Sequence, residues 1–164
     1  MDVAPEITQR AAQPYAGISK WVTMAAIGSV ADRIPEIFSS LGARGIAPAG
    51  PPFFRYHVID MERELLVEAG VPVASAVDDD GDVRAGALPA GRFAVATHTG
   101  APETLMAATA ELLDWAKTRG LTWDVSQTDA GEKWGCRLES YLTDPAEQPD
   151  TSKWQTELAF RLAD

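Results

Sequence analysis

Two kinds of apolar spacing alternate along this chain. Residues 5–24 place Ile7, Tyr15, Ile18, Trp21 and Val22 among polar positions in loose alternation, which predicts an extended segment. From Ile27 the period changes. Val30, Ile34, Ile37, Phe38 and Leu41 recur every three or four residues, the apolar stripe of an amphipathic helix. Pro35 falls inside that stripe and predicts a late helix start or a kink, because proline lacks an N–H and its ring crowds the preceding turn. Gly42 and Gly45 are stop signals. Pro48-Ala49-Gly50-Pro51-Pro52 reads as a turn, and the aromatic and β-branched run 53–59 as a strand. Residues 65–73 predict a second strand, interrupted or placed at an edge by Gly70 and Pro72.

After Leu88-Pro89-Ala90-Gly91 the same plan restarts. Residues 92–99 predict a strand, and Ala101-Pro102-Glu103 opens a helix with proline and an acid in its first turn. Leu105, Ala108, Leu112, Trp115 and Ala116 form the helical stripe, and Gly120 ends it. Trp123 lies in a connection, 126–133 is a polar loop, and 136–143 and 154–162 are strands. Ile34, Ile37, Phe38, Leu41 and Gly45 fall over Thr109, Leu112, Leu113, Ala116 and Gly120 at a constant offset of 75 residues. Duplication of one supersecondary unit accounts for this economically. A chance match of two amphipathic helices is the alternative, since helices share their period. The expected fold is α+β: two pseudo-twofold-related strand-helix-strand-strand modules forming an antiparallel sheet with two main helices and a central ligand groove. One domain spans residues 1–164, with module one at about 5–75 and module two at about 88–162.

Composition narrows the function classes. The chain has 164 residues, 46% hydrophobic, enough for one core without disulfides or a structural metal. The single Cys136 excludes a disulfide framework and a multi-cysteine zinc site. A net charge of −10 argues against nucleic acid and anionic membranes as partners. With no apolar stretch of about 20 residues and no signal-like start, the expected location is cytoplasmic. Five Trp, three Tyr and five Phe in an acidic chain suit an organic cation, which ring faces attract.

No dinucleotide, phosphate-loop, zincin or nucleophile-elbow motif is present, and no cofactor is expected. His57 and His98 show no metal-ligand spacing, and Cys136 in an apolar strand reads as core. Asp78, Asp80 and Asp82 are spaced by two but lack the glycine and glutamate positions of a calcium loop, so they read as a solvated acidic turn. The informative segment is 134–145. Strand alternation puts Cys136, Leu138, Ser140 and Leu142 on one face, read as the core face, and Arg137, Glu139, Tyr141 and Thr143 on the other. Glu139 and Tyr141 are then either an ordinary exposed pair or a carboxylate and an aromatic wall at a groove between the two units.

Several collinear segments bear on that choice: Gly50-Pro51-Pro52-Phe53 with Arg55-Tyr56-His57, residues 67–73, residues 88–94, His98-Thr99-Gly100 and Glu139-Ser140-Tyr141-Leu142-Thr143-Asp144-Pro145. Together they resemble the GyrI-like small-molecule-binding family, whose fold is shared by effector-binding domains of AraC-type and BmrR-type bacterial regulators. The resemblance implies two strand-helix-strand-strand modules around an aromatic groove, with Glu139 matching the family's central glutamate and Tyr141 a neighbouring pocket wall. It implies a stand-alone cytoplasmic binder of hydrophobic, often cationic, aromatic compounds, a multidrug or xenobiotic binder lined by Glu139, Tyr141, Tyr56, His57, Phe93, Trp123 and Trp134. The effector module takes up the whole length, so no DNA-binding segment is expected. Two alternatives follow from the same resemblance. One is a hydrolase opening strained cyclopropane rings of DNA-alkylating natural products, with Glu139 and Tyr141 catalytic; the other is an inhibitory protein partner of an enzyme such as gyrase.

Overall fold

The computed structural model describes residues 2–164. The extended N-terminal segment is two strands, β1 (Val3–Arg10) and β2 (Gln13–Val22), parted at Ala11-Ala12. The predicted helix is also divided, into a single turn α1 (Gly28–Ala31) and α2 (Ile34–Ala43), which carries Pro35 in its first turn where no N–H is needed. Then come β3 (Phe53–Ile59), β4 (Leu65–Pro72), β5 (Arg84–Leu88) and β6 (Gly91–Thr99). A 3-10 turn at Pro102–Thr104 leads into α3 (Leu105–Thr118). The chain ends with β7 (Val125–Thr128), β8 (Gly131–Trp134), β9 (Arg137–Tyr141) and β10 (Gln155–Arg161).

These elements make an α+β fold: one large antiparallel sheet with two main helices. Strand order is β1-β6-β10-β9-β3-β4-β2-β5, with the β7–β8 hairpin attached through β8 to β3. Read outward from the β9–β3 contact, the order is symmetric in kind. β10 and β4 come next, then β6 and β2, each of which leads into a helix, then the added strands β1 and β5. The helices repeat one another as well. Ile37 and Leu41 are the buried residues of α2, Leu112 and Ala116 those of α3, and each pair is separated by the same 75 positions. Both helices end on a glycine in the left-handed region, Gly45 at φ 69° and Gly120 at φ 70°, where other residues are strained.

Two predictions need correction. β4 is not an edge; it pairs with β2 on one side and β3 on the other. Pro72 is tolerated because it closes the strand, and Gly70 is needed for packing. A Cβ on Gly70 would lie 2.5 Å from the Phe53 ring and 3.0 Å from the Tyr15 ring, so a missing side chain lets two aromatics cross the strand. Residues 126–133 are not a loop but the β7–β8 hairpin, polar because most of its side chains stay in water. It turns at Asp129-Ala130, and Gly131, which opens β8, has φ 129°.

The sheet buries side chains on both faces. The helix-covered face carries the larger core, with Ile37, Leu41 and Leu112 packed on Ala16, Ile18, Val67, Ala69, Ala94 and Leu158. The other face holds a separate cluster of Tyr15, Phe53, Phe93, Val95, Cys136, Leu138 and Ala159. The expected core face of β9 is therefore buried at Cys136 and Leu138, as anticipated, but Leu142 is exposed. The Arg137-Glu139-Tyr141 face is turned toward the helices, where it becomes half-buried rather than free.

Candidate functional site

Strand register assembles the site at the middle of the sheet. Glu139 of β9 stands opposite Phe54 of β3 on one side and Leu158 of β10 on the other, while Arg137 stands opposite Phe160. Side chains alternate, so Phe54 and Tyr56 share the face of Arg137, Glu139 and Tyr141. The consequence is a carboxylate held by two phenols. Tyr56 Oη and Tyr141 Oη each donate to Glu139 Oε1 at 3.0 Å. The Phe54 ring meets both phenols edge-on, 6.3 Å from Tyr56 and 5.4 Å from Tyr141 by centroid. Glu139 Oε2 has no protein partner, and it is not sealed away as an orphaned buried atom among the described residues. It is the free end of the group.

Burial dominates the electrostatics. It raises the Glu139 carboxyl above its usual range, against the opposing pull of the two phenol hydrogen bonds and the Arg137 charge. The same burial, reinforced by the neighbouring carboxylate, pushes the Tyr56 and Tyr141 hydroxyls well up, so both stay protonated donors.

Beside this cluster a groove of ≈ 680 Å³ runs between α3 and the β7–β8 hairpin, with Leu113, Leu121, Trp123, Trp134 and Arg137 among its walls. Trp123, Trp134 and Phe160 form a triangle of rings, each pair 5.8 Å apart. Trp123 is placed by a bridge to Leu162, and the next residue, Asp124, ion-pairs with Arg161 at 2.9 Å, which ties the connection to the end of β10. The Arg137 guanidinium lies 4.8 Å from the Trp134 centroid, 4.6 Å from Phe160 and 6.0 Å from Tyr56, linking the ring triangle to the Glu139 cluster. Burial depresses its pKa, though nearby Glu139 and Glu132 oppose the shift.

Of the residues expected at the site, Glu139, Tyr141, Tyr56, Trp123 and Trp134 share this region; His57 and Phe93 do not. Phe93 packs in the cluster on the opposite face, with the Arg10 guanidinium over its ring. His57, adjacent to Tyr56 in an alternating strand, points away from it at a register shift between Tyr56 and Val58. There His57 Nε2 is 2.8 Å from Oε1 of Glu68, a buried carboxylate that also accepts from Tyr15 Oη at 2.5 Å. Sequence reasoning missed Phe54 and Phe160. The i, i+2 spacing of Phe54 and Tyr56 was a readable signal for the first, but only the β9–β10 register reveals the second. Among the described residues, no group of three or more His, Cys, Asp or Glu side chains is placed to hold a metal ion.

Comparison with known proteins places this geometry in a family. The model of the GyrI-like small molecule binding domain matches residues 4–163. The chain belongs to this family. Among solved structures, the GyrI-like fold here is similar to the EcmrR C-terminal domain, with TM-score 0.77 and 18% identity over 98% of both chains. It is also similar to EcmrR in a DNA complex, at TM-score 0.76 and 18% identity over 98% of this chain, which spans 57% of that longer chain. SAV2435 bound to tetraphenylphosphonium matches at TM-score 0.63 and 12% identity, covering 98% of this chain and 94% of that one. A search of curated proteins finds no match. Among the described residues of this GyrI-like chain, no helix is long and apolar enough to cross a membrane.

Proposed function

We propose that this GyrI-like domain binds hydrophobic, often cationic, aromatic small molecules, as a cytoplasmic binder of xenobiotic-like compounds. The observation that carries the reading is Glu139: a carboxylate raised by burial, held through one oxygen by two phenols, with its other oxygen unpartnered among aromatic rings. Such a group makes no ion pair among the described residues, Arg137 acting on it only through space, and a flat organic cation can pair with it directly while the rings supply contact area. SAV2435, which shares the fold, is a protein bound to tetraphenylphosphonium, an aromatic cation. The chain is read as one domain of two duplicated modules, about 5–75 and 88–162, supported by the shared offset of the buried helix residues.

The hydrolytic alternative is less well supported. It asks Tyr141 to donate to a developing oxyanion, and that hydroxyl is already donated to Glu139. The test of the binding reading is fluorescence titration with N-methylacridinium, a flat permanent cation. Saturable one-to-one binding that tetraphenylphosphonium displaces is expected. Absence of saturable binding to either compound would overturn the proposal.

A further inference from the structure

The Glu139 cluster explains one half of the site and leaves the other half without a task. Arg137 lines the groove with its guanidinium laid over Trp134 and Phe160, yet among the described residues it forms no ion pair and no hydrogen bond. None of its nitrogens is an orphaned buried atom, so its donors reach open space. Trp134, in the same wall, has an indole N–H that is buried and meets no acceptor. Arg161, Arg33 and Arg63 all find carboxylates. Arg137 is different: Glu132 and Asp114 border the same groove, and neither bonds to it. A guanidinium held over rings, partly withdrawn from water and still carrying free donors, is suited to receive a planar acceptor pair.

We infer that the groove selects aromatic ligands that carry a carboxylate, which Arg137 receives while the ring stacks among Trp123 and Trp134. Any positive charge on the ligand is left for Glu139, two residues along the same strand face. The favoured members of that ligand class are therefore aromatics with a carboxylate, dipolar where they also carry a positive charge. This inference rests on the binding reading above and deepens it.

The experiment compares N-methylacridone carboxylate with its primary carboxamide, which has nearly the same shape and no charge. N-methylacridinium serves as the reference for the groove itself. The wild-type chain is expected to bind the carboxylate about tenfold or more tightly than the carboxamide, since charge-assisted hydrogen bonds are roughly twice as strong as neutral ones. Arg137→Met should abolish that preference by weakening the carboxylate about tenfold more than it weakens the carboxamide, while Arg137→Lys should keep part of it. Should the variants fold poorly, the wild-type ratio decides alone. Equal binding, a preference for the carboxamide, or failure of both acridones while N-methylacridinium binds would overturn the inference and leave the binding reading standing. Failure of all three ligands would overturn both.

Discussion

Replacing Glu139 with glutamine removes a charge and little volume. One oxygen of Glu139 accepts both phenol hydrogen bonds at 3.0 Å, and the amide oxygen of glutamine can keep that role. The other oxygen accepts no hydrogen bond among the described residues and is the one offered to a ligand in the proposed reading. A cation centred about 4–5 Å from it gains roughly 3–4 kcal/mol at an effective dielectric near 20. The site is only half-buried, so screening reduces this to about 1–2 kcal/mol, a loss of about five- to thirtyfold in affinity. N-methylacridone, flat and neutral, has no Coulomb contribution to lose and should change by about twofold at most. Titrating both dyes against both proteins isolates the charge. A second signature is pH. The raised carboxyl must lose its proton to pair with a cation, so wild-type affinity for N-methylacridinium should climb with pH through the Glu139 titration, while Glu139→Gln should be flat. Equal losses for the two dyes, or a pH slope that survives the substitution, would remove Glu139 from the cation role.

Other expectations follow from the same geometry. Tyr56→Phe and Tyr141→Phe each delete one donor to the carboxylate, so Glu139 should rise further and weaken acridinium binding at pH 7 by up to about tenfold. An unchanged pH profile in both variants would show that the phenols do not hold the charge. Because Glu139 is raised in the folded chain, its contribution to stability is full below the unfolded carboxylate range and is lost as pH rises through the folded value. Denaturant midpoints should therefore fall less for Glu139→Gln than for wild type as pH rises from the usual carboxylate range through the Glu139 titration; parallel falls would contradict this. Gly70→Ala drives a methyl against Phe53 and Tyr15 and should cost about 1–3 kcal/mol in urea unfolding, whereas a cost under about 0.5 kcal/mol would mean the rings yield freely. Cys136 is buried, with its thiol pushed up to about 11, so a thiol reagent should label it only after unfolding, and rapid labelling of the native chain would refute that burial.

Local pattern was enough to read the helices, most strands and which side chains of the candidate site share one strand face. Ile37 with Leu41 and Leu112 with Ala116 are visible as stripes because a helix repeats within a few residues, and burial follows that period. Alternation likewise put Glu139, Tyr141 and Arg137 on one face before any fold was known. It also held a warning about His57, since neighbours in a strand cannot share a face with each other, and Tyr56 was already placed in the groove.

The sequence by itself determined which side chains travel together along one element, because that depends only on the backbone repeat. Tertiary structure decided which elements meet, because strand register joins residues far apart in the chain. The pairing of Phe54 with Glu139 and of Phe160 with Arg137 belongs to that second kind. So does the separation of Phe93 from the groove, which depends on which sheet face the helices cover. The carboxylate was legible as a candidate; its two phenol donors, its free oxygen and the unengaged arginine beside it exist only after β3, β9 and β10 are set side by side.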